Sequence, residues 1–343
     1  MRLSEFDYEL PPERIAQQPP EERDAARMLV LHRADGRLED RRFRELPELL
    51  APGDLLVAND SRVFPARLLG QRASGGKVEV LLLEPQGGVE WTALVHPGAR
   101  LDVGARLSFD EGLEAEIVAR GTRGERRLRF SGVEHLSAWL ETHGHVPLPP
   151  YIRRPDEAMD RERYQTIYAH EAGSAAAPTA GLHFTPRVQA VLLERGIRWT
   201  AVSLHVGLGT FQPVVSEEIE QHPMHTERFS VSESAAAALN RARAESKRIV
   251  AIGTTAARVL ETIAPEPGAA FRAQSGATGI YIYPGGRPFR AVDALLTNFH
   301  APRTTLLMMI AAFAGMEPVR AAYQHALAGG YRFLSYGDCM LML

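Results

Sequence analysis

The sequence predicts a layered α/β domain with a mixed sheet, carrying an inserted small antiparallel β-barrel. Two textures and one junction lead to that reading. From about Phe64 to Val146, short runs rich in Val, Leu, Ile and Trp alternate with glycine-containing turns, the pattern of a small sandwich or barrel. From about Pro178 onward, helical and strand-like stretches alternate, which argues for a sheet layered by helices. Ahead of both, GDLLVAND ends an apolar strand in the polar turn Asn59-Asp60-Ser61. Such a strand fits a buried α/β sheet better than a barrel. The expected division is therefore 1–62 with 150–343 as the α/β unit, and 63–149 as the inserted barrel.

Each element follows from a local pattern. The expected barrel strands are KVEVLLLE, EWTALVHP, ARLSFD, LEAEIVAR and RRLRFSG. VEHLSAWLETHG follows as a helix, with Leu136, Trp139 and Leu140 on one face and Gly144 as a stop. TPRVQAVLLERG is a helix with Thr185 as N-cap, Pro186 at its first position and Gly196 at its end. It leads into the strand IRWTAVSLHV. A helix capped by Ser232, SESAAAALNRARAESK, feeds the strand RIVAIG, and TTAARVLETIA starts a helix directly after it. Then come an expected strand GIYIYP, a strand AVDALLTNF, the helices TTLLMMIAAFAG and PVRAAYQHALAGG, and a closing strand YRFLSY.

Composition excludes several classes. With 45% hydrophobic and 24% charged residues the chain is neither disordered nor fibrous. The single cysteine, Cys339, excludes an internal disulfide framework, and its apolar surroundings favour packing over nucleophilic chemistry. The N-terminus carries acids and prolines where a secretory signal needs an apolar run. The longest apolar stretch, from Leu306, is about half the length that spans a bilayer. The expectation is a soluble, cytoplasmic protein with no membrane contact. A net charge of −3 argues against general nucleic-acid coating but leaves room for a local basic groove. Lysine occurs only at Lys77 and Lys247, so the basic character is almost all arginine.

Several motifs invite a chemical reading, each beside a plainer one. In VAIGTTAARVLE a strand ends at Gly253, and Thr254 and Thr255 sit where a helix begins. Free N–H groups there receive a carboxylate or phosphate, although threonines at that position also serve as ordinary caps. SLHVGLGTFQP lacks the third glycine of a dinucleotide loop, and Pro213 blocks a normal helix start. Gly207 and Gly209 are better read as a bend admitting a flat ligand beside His205 and Phe211. HPMHTERF places His222, His225 and Glu227 within six residues, with His183 upstream. That spacing matches no zinc motif, so a loop that hydrogen-bonds a substrate is favoured over a metal site. In TNFHAPRTT, Asn298 and His300 belong at the C-terminal end of a strand, where open α/β sheets bind ligands. APTAGLHF is a turn of small residues that suits a ligand or tight packing equally. Arg153, Arg154, Arg161 and Arg163, near Tyr151 and Tyr164, suit RNA phosphates and bases, or simply a solvated surface.

Taken together and in order, NDSRVFPARLLG, PLPPYI, AAPTAGLHF, LHVGLGTFQPV, MHTERF, AIGTTAARVLE, VDALLTNFH and YRFLSYGD closely resemble the S-adenosylmethionine:tRNA ribosyltransferase-isomerase family of queuosine biosynthesis. The resemblance covers essentially the whole chain. Ala256 departs from it, standing where the family usually carries a hydroxyl residue. The resemblance implies an α/β fold with an inserted barrel and no tightly bound cofactor or metal, S-adenosylmethionine being a co-substrate. It implies transfer and isomerisation of the ribosyl group to 7-aminomethyl-7-deazaguanine (preQ1) at the tRNA wobble position. The products are epoxyqueuosine-tRNA, adenine and methionine, and the macromolecular partner is a tRNA anticodon stem-loop. A monomer is expected.

That chemistry states what a site must contain. The sulfonium acidifies the C5′ protons, so a general base is needed within reach of that carbon. The aminomethyl group must arrive unprotonated, and departing adenine needs a donor near its ring. The acid–base candidates are His205, His183, His225, Glu227 and Asp60. The binding candidates are Thr254, Thr255 and Arg258 for the methionine carboxylate, Gly207, Gly209 and Phe211 beside flat groups, and Asn298 and His300 for ribose or adenine. A metal-dependent hydrolase and a non-catalytic RNA-binding module are the rival readings.

Overall fold

The structure, a computed structural model, describes residues 1–98, 101–121, 124–207, 214 and 216–343. The strands are β1 (Arg27–Leu31), β2 (Leu38–Arg42), β3 (Leu55–Asn59), β4 (Ser61–Val63), β5 (Arg67–Arg72), β6 (Lys77–Gly87), β7 (Glu90–His96), β8 (Arg106–Ser108) and β9 (Glu114–Arg120). They continue as β10 (Glu125–Ser131), β11 (Glu171–Ser174), β12 (Arg198–Leu204), β13 (Glu227–Val231), β14 (Ile249–Ile252), β15 (Gln274–Thr278), β16 (Ala294–Asn298) and β17 (Cys339–Met342). The α-helices are α1 (Leu46–Leu49), α2 (Leu136–His143), α3 (Asp160–Arg163), α4 (Pro186–Glu194), α5 (Glu233–Ala244), α6 (Gly253–Ile263), α7 (Thr305–Ala314) and α8 (Met316–Ala328).

Nine strands form one mixed sheet in the order β15-β13-β12-β3-β14-β16-β17-β1-β2. Its centre, β12-β3-β14-β16, is parallel, with Leu55 opposite both Arg198 and Ile249. All five residues of β3 are buried, as a strand covered on both faces requires. Alternation along the strands divides the core. Leu55, Val57, Val202, Ala251 and Leu295 face α5, α6, α7 and α8. Leu56, Ala58, Val250, Ile252 and Leu296 face α1 and α4, meeting Leu46, Val188 and Leu192.

The second unit is a closed antiparallel barrel, β10-β7-β6-β5-β8-β9, with its own core around Leu68, Val80, Ile117, Leu128 and Phe130. Trp139 and Leu140 of α2 join that core. The barrel's chain leaves and returns at one point. Arg67 and His145 exchange both main-chain hydrogen bonds, at 3.2 and 2.8 Å. Just outside that point, β4 and β11 run side by side as a parallel pair.

The caps at Thr185 and Ser232 form as the sequence predicts, accepting from the N–H groups of Val188 and Ala235. Two strands do not. The strand expected over GIYIYP lies earlier, at β15, where it pairs antiparallel with β13. Ile282 instead turns into the core, so the β-like composition of that run reflects packing. The closing strand expected at YRFLSY is β17, further on. Tyr331 and Phe333 are buried as core side chains, and Leu334 has a φ of 70°, which a ladder does not accommodate.

Candidate functional site

The four parallel strands end along one edge of the sheet, at Asn59, Leu204, Ile252 and Asn298. The residues that follow, Asp60, His205, Gly253 and Phe299-His300, therefore gather at the carboxyl edge of the sheet. Asn59 fixes this edge. Its Nδ2 donates to the Leu204 carbonyl at 3.0 Å, and its Oδ1 accepts from the N–H groups of Leu204 and Ser61 at 3.0 and 3.1 Å. In the sequence Asn59 shows only as the polar end of a buried strand, with no sign of this bonding role.

A cleft of about 890 Å³, counted to its open mouth, lies along this edge. Its walls come from PLPPYI, AAPTA, GTT, TNFHA and Leu334-Ser335, so five motifs far apart in sequence meet there. At its floor the chain passes from β14 into α6 in one residue, because Gly253 adopts a φ of 84°. Ile252, at the N-cap, supplies no side-chain hydrogen bond to the helix start. Thr254 and Thr255 are both buried against the cleft, and Thr255 Oγ1 has no hydrogen-bond partner among the described residues. The helix start thus presents a positive terminus to the cavity, with no N-cap side-chain hydrogen bond among the described residues. Ala256, just behind it, is fully buried in the apolar core.

Across the cleft, Asn298 supports the wall. Its Nδ2 donates to the carbonyls of Leu334 and Ser335, at 2.9 and 3.2 Å. Its Oδ1 must then face His183 Nε2, 2.9 Å away, so His183 carries its proton on Nε2. His183 is buried against the Phe43 ring, 5.3 Å between centroids, and burial lowers its pKa. Asn298 lines the cleft, with both its amide atoms engaged in these bonds, whereas His183 does not line it. Ser335 Oγ completes that wall at 2.6 Å from Tyr151 OH. His300 does line the cleft, with Nε2 2.9 Å from Thr297 Oγ1. Burial drives its pKa down to about 3, so it stays neutral.

A second recess opens beside the cleft, Val206 being common to both, between the sheet and the barrel residues Leu83, Thr92 and Leu94. His205, Gly207 and His225 line it. His205 is half-buried; burial, and then the nearby Arg228 charge, lower its pKa. Its Nδ1 has no partner among the described residues. Asp60 stands on the neighbouring strand end, accepting from Ser203 Oγ at 2.6 Å, and burial raises its pKa.

Glu227 is buried and held from two sides. Oε1 accepts from the Gly207 N–H at 3.1 Å, and Oε2 accepts from Arg258 Nη1 of α6. Arg258 is placed one turn beyond Thr254-Thr255, against a smaller cavity lined by Met224, His225, Tyr281 and Met309. Its Nε and Nη2 have no partner among the described residues.

The arginines near Tyr151 and Tyr164 divide between surface exposure and ties to the fold. Arg154 pairs with the buried Asp160 at 2.7 Å. Arg161 donates to the carbonyls of Glu141 and Gly144, and Arg163 to those of Pro20 and Glu21. Arg154, Arg161 and Arg163 thus tie segments of the fold together, Arg161 from an exposed position, while the side chain of Arg153 is exposed and makes no hydrogen bond or ion pair among the described residues. Gly209 and Phe211 lie outside the described residues. Among the described residues no group of three or more His, Cys, Asp or Glu is arranged to hold a metal ion. Cys339 is fully buried, and burial raises its thiol pKa.

Comparison with known proteins gives a consistent set of relatives. A family model described as "Queuosine biosynthesis protein" matches residues 3–342. The S-adenosylmethionine:tRNA ribosyltransferase-isomerase of Moorella thermoacetica is 55% identical, over 100% of both chains. That of Solibacter usitatus is 52% identical, again over 100% of both. The crystal structure of S-adenosylmethionine tRNA ribosyltransferase from Thermotoga maritima is 40% identical. It covers 99% of this chain and 100% of its own, with a TM-score of 0.56.

Proposed function

The chain belongs to the queuosine biosynthesis protein family, and from that premise we propose how its cleft carries out the reaction. It is an S-adenosylmethionine-dependent tRNA ribosyltransferase-isomerase. It moves the ribosyl moiety of S-adenosylmethionine onto preQ1 at the tRNA wobble position and isomerises it, giving epoxyqueuosine-tRNA, adenine and methionine.

In our reading the cleft at the carboxyl edge of the sheet holds S-adenosylmethionine. The observation that carries this is the start of α6, buried in the cleft with no side-chain cap and the Thr255 hydroxyl unpartnered among the described residues. A carboxylate there receives main-chain N–H groups, a hydroxyl and the positive helix end together. Methionine supplies that carboxylate. His300, neutral and anchored on Thr297, addresses the ribose or adenine, while Asn298 and His183 hold the opposite wall. The spare donors of Arg258 face a separate cavity, so Arg258 serves the site chiefly by holding Glu227 and, through it, Gly207.

The recess beside the barrel receives the tRNA base. His205 is its neutral imidazole, already able to accept a proton, and it takes the C5′ proton that the sulfonium acidifies. His225, on the same recess, is the second acid–base group, suited to the aminomethyl ammonium. Asp60 acts from behind the strand end. Glu227, paired with Arg258, supports the loop rather than exchanging protons. The activation comes from the sulfonium, and no resident metal or cofactor enters the scheme. We divide the chain as 1–62 with 150–343 carrying this site and 63–149 as the barrel, and place the enzyme in the cytoplasm as a monomer. Among the described residues no single helix is long and apolar enough to cross a membrane.

The test is adenine release from S-adenosylmethionine with tRNA bearing the precursor base. We expect turnover in the wild type and a loss of about 10²-fold or more in His205→Ala. An effect under about threefold removes His205 as the base, and no adenine from the wild type overturns the reading.

A further inference from the structure

We propose that Tyr8 and Tyr323 are positioning residues for this reaction: their hydroxyls hold the main chain of His300 and so aim its imidazole into the cleft. The proposal rests on assigning that cleft to S-adenosylmethionine. His300 lies two residues beyond the end of β16, after Phe299, where the strand ladder has stopped and its main-chain groups need other partners. Both partners are tyrosines from distant parts of the chain. The His300 N–H donates to Tyr323 Oη at 2.9 Å, and the Tyr8 hydroxyl donates to the His300 carbonyl.

The two phenols are themselves fixed. Their rings meet edge to face at 5.2 Å, and Tyr323 packs on Phe299 and Phe333 at 5.4 and 5.9 Å. Burial keeps both phenols protonated. Neither ring lines the cleft; both face a separate apolar cavity with Phe6, Leu307, Val319 and Leu327. With Nε2 on Thr297, His300 is therefore held at its amide, its carbonyl and its ring. Two of the three restraints come from side chains that touch no ligand in the cleft. Turning the imidazole means breaking a buried hydrogen bond, which leaves a polar group unsatisfied.

Tyr323→Phe and Tyr8→Phe keep the ring packing and remove one oxygen each. Each variant should weaken S-adenosylmethionine binding about three- to tenfold, the range one lost hydrogen bond supports, with KM for tRNA unchanged. In a His300→Ala background, Tyr323→Phe should cause no further loss, because the group it positions is gone. A purely structural role instead lowers Tm and leaves affinity within twofold, or gives equal losses in both backgrounds; either result overturns the proposal. If His300→Ala alone weakens binding while both tyrosine variants do not, positioning fails and the cleft assignment stands. If His300→Ala also leaves affinity intact, the cleft assignment fails and the proposal with it.

Discussion

Gly173 lies directly against the imidazole of His205: a β-carbon at position 173 would stand 3.2 Å from His205 Nδ1. Its φ of 123° is also one that other residues rarely adopt. Gly173→Ala should therefore displace the ring it supports. The expected result is a fall in kcat of about tenfold or more, with S-adenosylmethionine affinity within about twofold. Equilibrium binding beside steady-state adenine release checks both halves, and an unchanged kcat would remove His205 from the reacting centre.

With His205 as the proposed base, the same imidazole should set the acid limb of the rate profile. Burial and Arg228 lower its pKa, so the neutral, basic form persists below the ordinary histidine range near pH 6.5. The activity kcat/KM should stay level as pH drops through 6.5 and fall only below it. In Arg228→Gln the limb should move upward in pH, since a nearby positive charge is gone. A limb that stays put would show that another group titrates.

Glu227 and Arg258 form a buried pair. Glu227→Ala leaves a guanidinium buried without its counter-charge, a loss of about 3–5 kcal/mol of stability. Thermal unfolding should show it directly. Glu227→Gln keeps an acceptor for the Gly207 N–H and should retain more of the fold. If the Gln variant turns over within about threefold of wild type, Glu227 is no acid–base group; a loss of about 10²-fold restores it to that role.

Thr255 offers a hydroxyl that nothing else among the described residues uses. Thr255→Val keeps the shape and removes that donor, so Tm should hold or rise while KM for S-adenosylmethionine rises about three- to tenfold. An unchanged KM would move the methionine carboxylate away from α6.

His300 also links stability to pH. Its folded pKa of about 3 lies below the unfolded value near 6.5. Between those values the unfolded chain binds the extra proton, so stability is full above pH 6.5 and is lost as pH falls toward 3. At pH 5 this one group accounts for about 2 kcal/mol. Denaturant melts at pH 7 and pH 5 should differ more for the wild type than for His300→Gln.

The sequence carried the layered fold because its signals were local: the caps at Thr185 and Ser232, the glycine-punctuated barrel strands and the all-apolar β3. It misplaced two strands where side-chain burial imitated strand composition, in GIYIYP and YRFLSY. That Thr254, Thr255 and His300 gather along one cleft was legible because strand ends in an α/β sheet converge on one edge. The separate tasks of Asn298 and His183 were not, since a carboxamide aimed at two carbonyls looks the same in sequence as one aimed at a ligand. Nor were the Arg163 ties or Tyr8 legible, because their partners lie more than a hundred residues away and only the folded chain brings them together.

The Arg67–His145 clasp gives the molecule a graft point. The ends of a 77-residue excursion meet within hydrogen-bonding distance, counting residues 68–144 between them. The excursion can be lengthened, shortened or exchanged in evolution while the parent sheet keeps its register, much as domain insertions are accepted where chain ends adjoin. Substrate reach on the barrel side and catalytic alignment on the sheet side can then diversify at different rates.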